Sequence, residues 1–441
     1  MPSAPVDSTT NLTVDVAVVG AGLAGAAAVE KLAESGYRVA VVEARDRLGG
    51  RGYARPFAGG GDLLEFGGAW ITPWQARIRD LCRRHGIALR PRSPFTDRRW
   101  YRDGALHRDG PSSAADRARH ERTTARIAAD AIALKLGHRA DEKGRPIAGI
   151  SFADYLDRLD PPQSTRDLLS AWWTVSGNAD KNRAPAADLL HSSAYADGLT
   201  EAMAEVWQET LVGGVALLVE RMLQAARVEL LTAAPVTHLR HDAGGVEVTL
   251  ADGRRIAAKA AVIATGLNPM RGIAFAPALG AAKTRAIATG HIGRAVKVWA
   301  KVRNVAVGAM ATGGGTGIEW MFAERLAADG ATLLVGFGVA ADGWTPDIPA
   351  DVERAVARFF PEATLLAVDW HDWNDDPFAR GTWLGPIVGA DAAYDAATWT
   401  REGRLAFATS DFAREDAGWF EAAIISGEDA AAEIAAHLGK S

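Results

Sequence analysis

The sequence is poor in cysteine: Cys82 is the single one among 441 residues, which excludes an internal disulfide and a thiolate-held structural metal. Ten histidines are scattered without ligand spacing, so no metal is expected. No run of about 18 apolar residues occurs, so no membrane partner is expected. The opening stretch lacks the basic start and apolar core of a secretory leader, and a cytoplasmic location is expected. Excess positive charge is missing too. Forty-nine Lys and Arg stand against 54 Asp and Glu, a net of -5, which argues against nucleic acid as a partner.

What is present fits a packed globular protein: 48% hydrophobic and 23% charged residues, over a length that suggests two domains. An apolar strand pattern at 14–19 ends in Gly20 and leads into a helical pattern at 23–35 and a second strand at 37–42. Two short apolar strands around one helix form a parallel β-α-β unit, so the expected fold class is α/β. Helical spacing recurs at 116–136, 151–171 and 199–207, with an exposed connection at 138–146. Strand signals return at 228–231, at 245–251 joined through Asp252-Gly253 to 255–258, and at 260–265. In 293–302, Val296, Val298, Ala300 and Val302 alternate with Lys297, Trp299 and Lys301, and Lys301 is expected to be a solvated strand lysine. The end reads as a strand at 404–409 and a closing Ala-rich helix at 418–437.

Gly20-Ala21-Gly22-Leu23-Ala24-Gly25 places G-x-G-x-x-G after a strand and at a helix start. There bare backbone and the positive helix end let a pyrophosphate approach closely. Glu43 follows about twenty residues later, where a carboxylate accepts hydrogen bonds from an adenosine ribose. Together they predict a dinucleotide with an unphosphorylated ribose, FAD or NAD.

Ala44-Arg45-Asp46-Arg47-Leu48-Gly49-Gly50-Arg51 and Glu65-Phe66-Gly67-Gly68-Ala69-Trp70 closely resemble the flavin monoamine oxidase family. The resemblance continues through Pro235-Val236, Lys297, Asp369 to Trp373, Asp376 to Trp383, Phe407 to Asp411, and Gly418 to Glu421. It implies a Rossmann-like FAD-binding domain assembled from 11–85, 209–287 and 370–441. An α+β substrate domain, a sheet with covering helices, would take 86–208 and 288–369. Arg45 and Arg51 would serve the phosphates and ring, with Ala44, Gly49 and Gly50 beside them. Gly67, Gly68, Ala69 and Trp70 would lie along the flavin, Val236 at the adenine, and Trp373, Ser410, Asp411, Trp419 and Phe420 at the remaining contacts. Lys297 matches the lysine linked through water to the flavin, and Trp383 and Trp419 match the aromatic cage. Trp172 and Trp173 are expected to line the substrate pocket or to pack in the core, and Glu65 to anchor the flavin loop. Thr382 stands where covalently flavinylated members carry cysteine, so FAD is expected to be held non-covalently. Trp70 stands where amino-acid oxidases place an arginine that grips a carboxylate.

The reading of function is FAD-dependent oxidation of a C–N bond in a small apolar or aromatic amine, with O2 returning the flavin and releasing hydrogen peroxide. The reacting amine must be neutral, because its lone pair stabilises the developing iminium. Alternatives are a dehydrogenase or amide-oxidising enzyme of specialised metabolism, an L-amino-acid oxidase, and a non-catalytic flavin-binding protein. A homodimer is compatible with all of them.

Overall fold

The computed structural model describes residues 11–195, 205–314, 317–341, 343–414 and 416–439. Its first sheet has eight strands. At its centre Asn11–Val19 pairs in parallel with Val39–Val42 on one side and Arg255–Ile263 on the other. These strands are near-continuous Val, Ala and Ile because both faces of a parallel sheet are covered. Helix Leu23–Glu34 follows Gly20, Ala21 and Gly22 directly and packs on the closing helix Phe420–Leu438. Gly427 makes that packing close: a Cβ there would lie 2.2 Å from the Ala24 carbonyl oxygen.

The sheet draws on stretches far apart in the chain, since Glu229–Leu231 extends it beyond Val39–Val42 and Leu405–Phe407 joins Arg255–Ile263. The second sheet, of seven strands, runs Thr364–Trp370, Ala295–Arg303, Thr332–Val339, Trp320–Leu326, Ala309–Gly313, Asp97–Arg102 and Ala105–His107. Helix Gln163–Ser176 covers one face of it, and Ile348–Phe359 packs with the Val296, Val298, Ala300 and Val302 side. The α/β expectation holds.

Two local expectations change. The runs 255–258 and 260–265 form one strand, Arg255–Ile263, because Lys259 simply faces out between them. The helical stretch 151–171 is two helices, Phe152–Leu159 and Gln163–Ser176. Asp160 turns left-handed at φ 46°, and Pro161-Pro162 supply no amide hydrogens to continue the first helix. The stretch 199–207 lies mostly outside the described residues. Among the described residues no helix is long and apolar enough to cross a membrane.

Candidate functional site

A cavity of about 1210 Å³ runs from the end of strand Asn11–Val19 to strand Ala295–Arg303. At its first end Gly20 has φ +109°, and a Cβ there would lie 2.5 Å from the Ala264 carbonyl oxygen. A Cβ on Gly25 would lie 2.0 Å from the Gly20 carbonyl oxygen, so this glycine seats the helix on the strand. Gly22 differs: it lines the cavity, and the nearest atom to an added Cβ is the Gly50 Cα at 3.8 Å. The helix N-terminus is therefore open to a ligand. Gly25 and Ala21 do not line the cavity; they shape it from behind.

Glu43 is 4% exposed, and its two oxygens accept from the amides of Ala21 and Arg45, each at 2.9 Å. The carboxylate thus ties the glycine turn to the next loop while remaining in the cavity wall. Beyond it Arg45 pairs with Asp376 at 2.7 Å, and Arg51 with Asp411 at 2.6 Å. Burial opposes ionisation of Asp411, but Arg51, His291 and the Leu267 amide outweigh it and hold the carboxyl below its usual range. Ala44, Gly49, Gly50, Val236, Ser410 and Phe420 line the same wall, Val236 beside Pro235.

Gly67, Gly68, Ala69 and Trp70 line the middle. At Gly67 a Cβ would come 1.9 Å from the Arg51 carbonyl oxygen, so only glycine lets these two segments meet. Trp373 closes the wall by donating from Nε1 to the Phe66 carbonyl at 3.0 Å. The arrangement fits FAD: an open helix end, a carboxylate, two arginines and a flat-walled middle succeed one another along one cavity.

Lys297, 5% exposed, marks the other end. Its Nζ donates to the backbone carbonyls of Glu65 at 2.7 Å and Gly67 at 2.8 Å, and sits 4.6 Å from the centre of the Trp70 ring. Burial lowers its pKa while the Glu65 and Glu324 carboxylates raise it, leaving it at about 8. Burial in turn raises the pKa of Glu65 against the pull of Lys297. The Glu65 carboxylate accepts from the amides of Tyr53, Gly67 and Val215, which joins three loops.

Trp70, Trp383 and Trp419 all line the cavity and are only half-buried. Trp70 stacks on Trp207 at 5.5 Å, packs on Phe337 at 5.9 Å, and donates from Nε1 to Glu324 at 3.4 Å. Among the described residues no ring contact joins Trp383 to Trp419, so the two are not a packed pair. Thr382 is buried and already engaged: its hydroxyl donates to Asn178 at 2.9 Å and accepts from the Ala295 amide at 3.1 Å.

Two expectations need correction. Trp172 and Trp173 do not line the cavity; Trp173 stacks on Phe152 at 4.0 Å and Trp172 packs against Trp320 at 4.9 Å. One turn further along the helix, Val175 and Ser176 reach the cavity instead. Lys301 is not solvated: it is 4% exposed, donates to the Gly59 carbonyl and pairs with Asp329 at 2.7 Å. The loop carrying Gly59 covers that side of the strand. Sequence reasoning also missed Trp207, Phe337, His291, Asp188 and His191, which reach the cavity from elements without a motif.

A family model described as flavin containing amine oxidoreductase matches residues 21–435. (S)-6-hydroxynicotine oxidase from Paenarthrobacter nicotinovorans is 31% identical over 426 residues, covering 94% of this chain and 97% of that protein. Pseudooxynicotine dehydrogenase from a Pseudomonas species is 28% identical, covering 97% of this chain and 87% of the relative. The structure of cyclohexylamine oxidase from Brevibacterium oxydans superposes with a TM-score of 0.81 at 24% identity, over 97% of this chain and 99% of that one.

Proposed function

Because this chain belongs to the family of flavin-containing amine oxidoreductases, we propose that it binds FAD non-covalently and oxidises a C–N bond of a small apolar or aromatic amine to the imine. The observation that carries this is one buried cation, Lys297, held at the Gly67 segment in the same cavity as the half-buried Trp383 and Trp419. Held along this cavity, FAD would supply acceptance of a hydride from the carbon beside nitrogen and the return of two electrons to O2 as hydrogen peroxide.

The protein's own part is binding, orientation and exclusion of water. Gly22 and Glu43 receive the adenosine diphosphate, with Ala44, Arg45, Gly49, Gly50, Arg51, Val236, Ser410, Asp411 and Phe420 along it. Gly67, Gly68, Ala69, Trp70 and Trp373 bound the ring. Trp383 and Trp419 flank the amine. Ring faces attract a cation by about 0.5–2 kcal/mol, which favours the unreactive ammonium. Burial without a counter-charge costs an ammonium several kcal/mol and favours the neutral amine that reacts. Glu65 sits behind Lys297 and fixes the loop that carries Gly67. We also propose the division into an FAD-binding unit from 11–85, 209–287 and 370–441 and a substrate unit from 86–208 and 288–369, supported by the segregation of their strands into different large sheets.

The lone buried Cys82 suits a reducing compartment. A variant of this reading has an acceptor other than O2; its support is the dehydrogenase name of one relative. Oxygen-consumption and peroxide assays on the flavin-loaded protein with arylalkylamines test the oxidase form. Peroxide in step with imine formation supports it; anaerobic bleaching with no reoxidation in air favours a separate acceptor.

A further inference from the structure

Three buried carboxylates around the flavin end of this fold are paired with arginines: Asp411 with Arg51, Asp376 with Arg45, Asp369 with Arg55. Asp188 is not. It stands in the first turn of helix Ala187–Tyr195 and lines the same cavity as Trp383 and Trp419. Its Oδ2 is buried without a hydrogen-bond partner, although the residue as a whole is half-buried against the cavity. Burial alone pushes its carboxyl well above the usual range, with no neighbouring cation to restore it.

His191 and Ser192, three and four residues on, share its helix face and also line the cavity. His191 is pushed down by burial, toward the neutral ring, so it supplies no counter-charge. Tyr394, which also lines the cavity, keeps its hydroxyl engaged, donating to the Gly290 carbonyl and accepting from the Ile387 amide. Among the described residues the Oδ2 of Asp188 therefore has no hydrogen-bond partner.

A buried acceptor without a partner is costly, and a ligand that supplies the partner recovers that cost on binding. A basic nitrogen is the complement, because it and the carboxyl share one proton. With an aliphatic amine the result is an ammonium–carboxylate pair; with a heteroaromatic nitrogen it is an O–H···N bond. The reacting nitrogen is not the partner, since that nitrogen must stay neutral with its lone pair free.

Resting on the proposed amine oxidation, we propose that Asp188 receives a second basic nitrogen of the substrate, so that the preferred substrates carry two such nitrogens. The test uses isosteric pairs: hexylamine against cadaverine, and phenethylamine against its pyridyl analogue. Anaerobic flavin reduction gives the dissociation constant and the limiting rate for each, for the native protein and Asp188→Asn. Perturbation of the bound flavin's visible spectrum gives the dissociation constant of any member that is not oxidised.

The expected result is a native preference of about tenfold or more for the dibasic member of at least one pair. Asp188→Asn abolishes that preference and leaves binding of the monobasic member unchanged. The pair that shows it tells an aliphatic ammonium from a heteroaromatic nitrogen. Equal binding within both pairs by the native protein overturns the proposal, even if Asp188→Asn does not fold. A preference that survives in Asp188→Asn also overturns it. Failure of every amine to bleach the flavin, with the binding preference intact, would count against the amine oxidation and not against the role of Asp188.

Discussion

The Lys297 ammonium donates to the backbone carbonyl of Glu65 at 2.7 Å while the Glu65 carboxylate gathers three backbone amides behind it. Charge and loop are thus fixed together. A buried cation held by two carbonyls needs no reorganisation when negative charge develops next to it, and that is the condition for electrostatic catalysis.

The charge of Lys297 is present below its pKa of about 8 and lost above it. Reoxidation of the reduced flavin by O2 should therefore slow as pH rises through about 8. Lys297→Met should be slower by on the order of a hundredfold below that pH and lack the inflection, while anaerobic reduction stays largely normal. Rapid mixing of photoreduced protein with oxygenated buffer across the pH range measures both; an unchanged profile in the variant would remove Lys297 from this role.

Trp383→Ala and Trp419→Ala should each slow anaerobic flavin reduction by roughly tenfold or more, the cost of losing orientation at the reacting centre. FAD should stay bound, since both rings are only half-buried and neither belongs to the large core clusters as a buried member. Stopped-flow absorbance reads the rate, and a normal limiting rate would refute the assignment.

FAD should leave the polypeptide intact on acid precipitation. Thr382 cannot form a thioether, and its hydroxyl is engaged with Asn178 and Ala295. Flavin remaining in the pellet would contradict this.

Gly22→Ala and Gly25→Ala should separate cofactor binding from folding. The first adds a Cβ that meets no protein atom closer than 3.8 Å, so the fold should melt normally while FAD affinity falls. The second drives a Cβ to 2.0 Å from the Gly20 carbonyl oxygen and should cost about 2 kcal/mol or more of stability. Melting of the flavin-free proteins and FAD titration distinguish the two, and equal melting points would contradict the packing role of Gly25.

The glycine turn, its strand and helix, Glu43 and the Gly67-Gly68 segment were legible because their conformation is decided by neighbours a few residues away. Trp172 and Trp173 misled because a covering helix shows the cavity only one stripe, and that stripe passes through Val175 and Ser176. Lys301 misled in another way: alternation shares a strand face with Lys297 correctly, but cannot reveal that the Gly59 loop and Asp329 cover it. The strands Ala309–Gly313, Trp320–Leu326 and Thr332–Val339 escaped notice because burial on both faces leaves little alternation to read. That the Oδ2 of Asp188 lacks a partner among the described residues is a tertiary fact, visible only once the other elements are in place.

The account's central claim is best tested by mixing the yellow, FAD-loaded protein anaerobically with a panel of arylalkyl and cycloalkyl amines and following the flavin absorbance. The account predicts full bleaching by at least one amine, formation of the matching imine or carbonyl compound, and return of the colour in air with hydrogen peroxide. A protein that takes up no FAD, or whose flavin no amine can bleach, would contradict it.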